Sequence, residues 1–247
     1  MGINLVNVQV WGRSQEDVTA AVRQEFGRFF RGDERTRKKH LGFSPEEHAQ
    51  MLAYQSQVRD WVGRLGYNAA FGPDVATLVG PQLGGWVGVY DAAMEGQNGK
   101  LCEAAARRLS EKLETAVLTF MVREGRSFLY VLGSGGVSLD WYMEGPDFGP
   151  TTPPSVHGDA LARALNDLGA AERVAAVLGQ TLNGREEDGE SADDAPAFHR
   201  LRALAGVLGI SNFGLGYRGL AVVGPDHAEG WPEFRQLRDE DYTDTPA

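Results

Sequence analysis

Three carboxylates and a phenol lie close together in Leu139-Asp140-Trp141-Tyr142-Met143-Glu144-Gly145-Pro146-Asp147, at the end of an apolar run. Asp140, Glu144 and Asp147 are the residue types that move protons or hold a hard cation when they converge. Tyr90-Asp91 closes an earlier apolar run with the same pair of functional groups. A metal-dependent hydrolase or transferase built on Asp91, Asp140 and Asp147 is therefore one reading. The plainer one places Asp140 and Tyr142 on the solvent side of a strand, as contact residues, and gives Asp147 the turn around Pro146. The plainer reading is adopted, with Tyr90, Asp91, Asp140, Tyr142 and Asp147 as the candidate binding residues and no catalytic or metal site.

Other motifs carry less. Gly214-Leu215-Gly216-Tyr217-Arg218-Gly219 fits the glycine pattern of a dinucleotide site. That site needs a strand before the glycines and a helix after them. Here a helix precedes, and Leu220-Ala221-Val222-Val223 reads as a strand, so the glycines read as a turn. The five histidines show no zinc-ligand spacing, and Cys102, the single cysteine, has no partner residue near it in sequence. No cofactor is expected.

Charge is unevenly spread. The chain has a net charge of −10, yet seven basic and three acidic residues lie between Arg23 and Lys39. Everything outside that window is strongly acidic, which repels nucleic acid and anionic membranes. Nucleic-acid contact through Arg35, Arg37, Lys38 and Lys39 is the weaker alternative, and a solvated charged face the stronger one. An acidic protein gains on-rate toward basic partners. The leading expectation is thus a non-catalytic protein that binds another macromolecule, in the manner of an immunity or adaptor protein, its partner a protein, with a basic one favoured by the charge. One cysteine suits a reducing compartment. No apolar stretch approaches the roughly 20 residues that span a bilayer, and the first residues lack the pattern of a signal peptide. A cytoplasmic location with no membrane contact is expected.

The elements that must position these groups follow from period and punctuation. Ile3–Trp11 reads as a strand. Ser14 caps a helix with Val18, Ala21, Val22, Phe26, Phe29 and Phe30 on one face. Ser44-Pro45-Glu46-Glu47 opens a second helix that Gly66 ends. Val75–Val79 and Trp86–Asp91 are strands, and Leu101–Glu114 is a helix. Three apolar runs, Val117–Val122, Phe128–Leu132 and Val137–Met143, are joined by short glycine-bearing turns and read as a β-meander. In the last run Val137, Leu139, Trp141 and Met143 are expected to face the core, and Ser138, Asp140 and Tyr142 to face water.

Helices over Asp159–Leu168, Ala170–Leu182 and Pro196–Leu208 should follow, with an acidic loop at 183–195 and a frayed end from Asp239. The fold class is α+β: one domain over 1–247, with an antiparallel sheet of about six strands in 1–150. Helices lie mainly on one face, and 151–247 forms a mainly helical extension.

Residues 75–150 carry a resemblance. Gly84-Gly85-Trp86-Val87-Gly88-Val89-Tyr90-Asp91, the helix with Leu109-Ser110, Leu139-Asp140-Trp141-Tyr142 and Pro146-Asp147-Phe148-Gly149 resemble a group of uncharacterised bacterial cytosolic proteins. That group shares a Gly-Trp strand, a helix, a meander and an Asp-x-Tyr…Pro-Asp-x-Phe-Gly-like ending. This chain departs where Phe148 follows Asp147 directly. The resemblance implies the α+β fold and no activity.

Overall fold

The central strand, β1 (Leu5–Trp11), carries apolar residues at Val6, Val8 and Val10 on one face and Asn7 and Gln9 on the other. The computed structural model describes residues 4–146, 154–180 and 195–242. After β1 come α1 (Gln15–Phe30), α2 (Glu34–Leu41) and α3 (Pro45–Leu65). The hairpin β2 (Val75–Leu83) and β3 (Trp86–Asp91) leads to α4 (Gly99–Leu113). The meander is β4 (Val117–Arg123), β5 (Ser127–Ser134) and β6 (Val137–Glu144). Then follow α5 (Pro154–Leu165), α6 (Ala170–Gly179), α7 (Pro196–Leu208), α8 (Tyr217–His227) and a short β7 (Arg235–Arg238).

The strands form one antiparallel sheet in the order β6-β5-β4-β1-β3-β2-β7. The α+β class holds, with seven strands where six were expected. The added strand, Arg-Gln-Leu-Arg, buries only Leu237 and owes its conformation to pairing with β2. It also brings the expected helical extension back into the sheet.

Local signals acted where they were legible. Ser14 Oγ accepts from Asp17 N, and Ser44 and Glu47 close a reciprocal capping box at α3. Gly66 ends α3 at positive φ. The basic segment, read as an exposed stretch, forms α2 because Asp33 caps it, with Thr36 N donating to Asp33 Oδ1 at 2.7 Å.

Helices cover both faces of the sheet. Apolar side chains of α1 and α4 pack on Val8, Val10, Val87, Val117, Met121 and Val131. On the opposite face α5, α6 and α7 pack on Leu118, Phe120, Phe128, Tyr130 and Leu132. Next to them, α8 and the second half of α3 cover Leu78 and Tyr90. Each large side chain so buried contributes about 2–3 kcal/mol of transfer free energy. Cys102 sits inside the α4 contact, where burial pushes its thiol up to about 12, so it stays an unreactive core residue.

The two-sided cover inverts the expected orientation of β6. Asp140 and Tyr142 point into the interior beneath α5 and α7, while Val137, Leu139 and Trp141 are exposed, Trp141 at 53%. Two causes act. Strict alternation fails because Leu132 pairs with Asp140 and Gly133 with Ser138, leaving Leu139 as an extra residue in a bulge. In addition, α4 crosses directly over β5. A Cβ on Gly133 would stand 2.3 Å from the Ala106 carbonyl oxygen, so only glycine admits the helix there. The strand beyond gets little cover from it.

The glycine motif has the opposite local structure from the one expected. The run Leu220–Val223 is part of α8, and the glycines precede its first turn. The helix N-terminus that would hold a pyrophosphate is occupied by the chain's own Glu95, whose Oε1 accepts from Arg218 N at 3.3 Å. Gly216 permits this, since a Cβ there would lie 2.7 Å from Glu95 Oε1.

Burial pushes the Glu95 carboxyl up to about 7, with the Arg218 amide and charge opposing the shift. The folded state therefore holds a proton that the unfolded chain releases near 4.5. Stability contributed at this site falls as pH rises from about 4.5 to about 7 and then levels off. Glu95→Gln should be about 3 kcal/mol more stable than the wild type at pH ~8 and indistinguishable below pH ~4.5. Urea denaturation at both pH values checks this; an equal difference at both would refute it.

Candidate anion-binding cleft

The end of α1, one face of α2, the middle of α3, Asp239 and Tyr242 line a cleft of about 1080 Å³. Six cationic side chains line it, Arg28, Arg31, Arg35, Arg37, Lys39 and Arg59, against two carboxylates, Asp33 and Asp239. The sequence places the cations by helical spacing. Arg28 and Arg31 close α1, and Arg35 and Lys39 lie one turn apart on α2, both exposed.

Arg37 is not a surface residue. Its guanidinium folds back under α1 and donates to the carbonyl oxygens of Phe29 and Phe30, while Nη1 lies 3.0 Å from His48 Nε2. It thus satisfies carbonyls that a helix end leaves without partners. Burial, then the nearby Arg31 charge, pushes Arg37 down to about 10, still cationic at neutral pH. Burial and the Arg37 charge also lower His48, which keeps the imidazole neutral and able to accept. Of the four residues expected to touch nucleic acid, Arg35, Lys38 and Lys39 are exposed and Arg37 is sealed.

Arg31 forms the floor. Its Nη2 donates to Asp91 Oδ2 at 2.8 Å and lies 3.4 Å from Thr77 Oγ1. Asp91 also accepts from the Thr77 hydroxyl and, at 2.8 Å, from Ala93 N. Burial opposes the Arg31 charge, but Asp91, Tyr242 and Asp239 outweigh it and raise its pKa. The Tyr242 ring stacks 3.9 Å over the guanidinium, and its hydroxyl bonds Thr77 Oγ1.

Arg59 grips Asp239 in bidentate fashion, Nη2 to Oδ1 at 2.7 Å and Nη1 to Oδ2. These bonds hold the Asp239 carboxyl below the usual range and raise Arg59. Residues 239–242, expected to fray, are thereby docked. Arg31 Nη1 and Arg59 Nε are buried without a hydrogen-bond partner among the described residues, and Arg31 Nε has only a 3.4 Å ion-pair contact with Asp239. Arg28, Arg35 and Lys39 enter no ion pair among the described residues.

Three further candidate binding residues, Tyr90, Asp140 and Tyr142, lie elsewhere and point into the interior. Tyr90 is buried under α8 and reaches the Asn212 carbonyl at 3.3 Å. Asp140 accepts from Tyr130 Oη at 2.6 Å and from His157 Nδ1 at 2.9 Å. Tyr142 donates to Glu144 Oε2 at 3.0 Å, and Arg200 clamps both Glu144 oxygens at 3.0 Å. Burial and the neighbouring Glu144 push Tyr142 up to about 12. Asp147 lies outside the described residues, as does the acidic stretch 183–194.

Asp91 and Asp140 do not converge. They occupy β3 and β6, four strand spacings or about 19 Å apart, and point to opposite faces. No three His, Cys, Asp or Glu side chains come together as metal ligands among the described residues. Also among the described residues, no helix is long and apolar enough to cross a membrane.

The sequence singles out the basic segment, as a solvated face or a nucleic-acid contact, and Asp91, but it gives no role to Arg59, Asp239 or Tyr242. No local pattern links them, because Asp239 lies 180 residues from Arg59 along the chain. Comparison with protein-family models, curated proteins and solved structures returns no match for this chain.

Proposed function

We propose that this is a non-catalytic binding protein whose arginine-lined cleft receives an acidic segment of a protein partner. One observation carries the reading: six cations against two carboxylates line a single cleft of a chain with a net charge of −10. Held at close quarters, such groups create a local positive potential that the rest of the surface opposes. An extended polyanion would lie mostly over repelling surface, so the field favours a short acidic feature that fits inside. The chemistry of the partner thereby reverses. Asp140 and Tyr142 of β6, first expected to meet a basic protein, are interior, and the exposed charged residues lining the cleft are three cations, Arg28, Arg35 and Lys39, against two carboxylates, Asp33 and the Asp239 already gripped by Arg59. Arg31 is locked by Asp91 on one side, which lowers the ordering cost of binding. The lone buried Cys102 is compatible with a reducing compartment and supports a cytoplasmic setting.

Charge reversal tests it. The double variant Arg35→Glu and Lys39→Glu should bind a glutamate-rich peptide at least about ten-fold more weakly, while its stability changes by less than about 0.5 kcal/mol because both side chains are exposed. Wild-type affinity should also drop several-fold between about 50 and about 200 mM salt. Fluorescence anisotropy reads both. Equal binding by wild type and variant, or no salt dependence, would sink the proposal.

A further inference from the structure

The floor of the cleft already contains an anion, and that anion underfills it. Asp239 supplies two oxygens, both engaged by Arg59. Arg31 Nη1 and Arg59 Nε are left with no acceptor among the described residues, and Arg31 Nε with a 3.4 Å contact only. Buried guanidinium donors without acceptors are rare and costly, so their presence beside a cationic cleft points to a larger oxyanion than the one in place.

We propose that the acidic feature recognised by the cleft is a phosphate monoester, and that it enters by displacing Asp239 and lifting the 239–242 strap. The inference rests on the binding role proposed above and specifies its ligand. A phosphate monoester carries close to two negative charges and three free acceptor oxygens, one more than a carboxylate, in a geometry that guanidinium forks match. Arg31 needs no reorganisation to receive it, because Asp91 and Thr77 fix its far side through Nη2.

The strap is built to exchange. Its Asp239 side chain is 52% exposed, and residues 239–241 form a single turn. Tyr242 rests on the Arg31 guanidinium and against Gly27, where a Cβ would lie 3.3 Å from Tyr242 Cβ. Removal of that ring uncovers the Arg31 donors toward Arg28, Arg35 and Lys39, which would add charge around the same phosphate.

Three versions of one neutral-flanked peptide, bearing phosphoserine, glutamate or serine at the same position, are titrated calorimetrically into the full chain beside inorganic phosphate. Amide exchange of Tyr242 is followed in the complex. The phosphoserine peptide should bind about ten-fold or more tightly than the glutamate peptide, and serine should not bind. Asp239→Asn, which weakens the internal competitor, should tighten phosphopeptide binding about three- to ten-fold. Arg59→Gln should weaken it by at least that factor. Tyr242 should lose protection on binding.

Equal affinity for phosphoserine and glutamate overturns the phosphate assignment while leaving the acidic-segment reading intact. Binding of none of the ligands overturns both. Tight phosphopeptide binding with an unchanged Asp239→Asn affinity and a still-protected Tyr242 overturns displacement of the strap. Inorganic phosphate binding as tightly as the phosphopeptide would mean a free-ion site and overturn recognition on a partner segment.

Discussion

Asp91→Ala should lower the unfolding free energy by about 3–5 kcal/mol, because it strands a buried guanidinium. Asp91 is fully enclosed and is the carboxylate directly bonded to Arg31, whose own side chain is almost entirely covered. Without it, Arg31 keeps the long Thr77 Oγ1 contact, the more distant Asp239 and the Tyr242 face, none of which replaces the bonded charge, while Thr77 Oγ1 and Ala93 N lose the Asp91 acceptor. Asp91→Asn retains an acceptor for the Ala93 amide and should cost less, about 2 kcal/mol, although its amide cannot neutralise Arg31. Equilibrium denaturation of both variants measures the difference. A change below about 1 kcal/mol for Asp91→Ala would show that Arg31 finds solvent readily, and the pre-organised floor of the cleft would go with it.

An effect of similar size is expected at the other polar cluster. Arg200→Met should destabilise by about 3–5 kcal/mol, although methionine fills much of the same volume. Arg200 is 1% exposed, donates to both Glu144 oxygens, and also reaches the carbonyls of Val177 and Gln180 at the end of α6. Its removal leaves a carboxylate beside the Tyr142 hydroxyl and takes a donor from the Gln180 carbonyl, while the Val177 carbonyl keeps the Gln180 amide at 3.4 Å. Adding Glu144→Gln to Arg200→Met should recover part of the loss, since the stranded charge is then gone. Guanidinium denaturation of the two single variants and the double completes the cycle. Additive losses would mean the clamp is not a unit, and a near-neutral Arg200→Met would place this corner in water.

Both predictions concern residues whose types were visible in the sequence and whose surroundings were not. Caps and helical faces were legible because they act within a few residues: Ser14 with Asp17, Ser44 with Glu47, and the apolar stripe from Val18 to Phe30. The strands of the meander were legible as apolar runs between glycine turns. The near-continuous runs of β4 and β5 already carried the mark of a sheet buried on both faces. The alternation in β6 was read instead as one wet face, because an extra residue in a bulge leaves no trace in spacing. The run Leu220–Val223 has strand-forming residues, yet it is helical where Glu95 satisfies its first turn and α3 and β1 receive its apolar side.

Composition and order along the chain were enough to define an acidic α+β protein with one cationic segment, several capped helices and a meander, since each depends on neighbours or on simple counting. Only the packed sheet decided which charges meet. Asp91 reaches Arg31 from β3, Asp239 arrives through a seventh strand, and Asp140 turns inward beneath α5. Coulomb attraction and burial depend on separation in space, and strand order sets that separation.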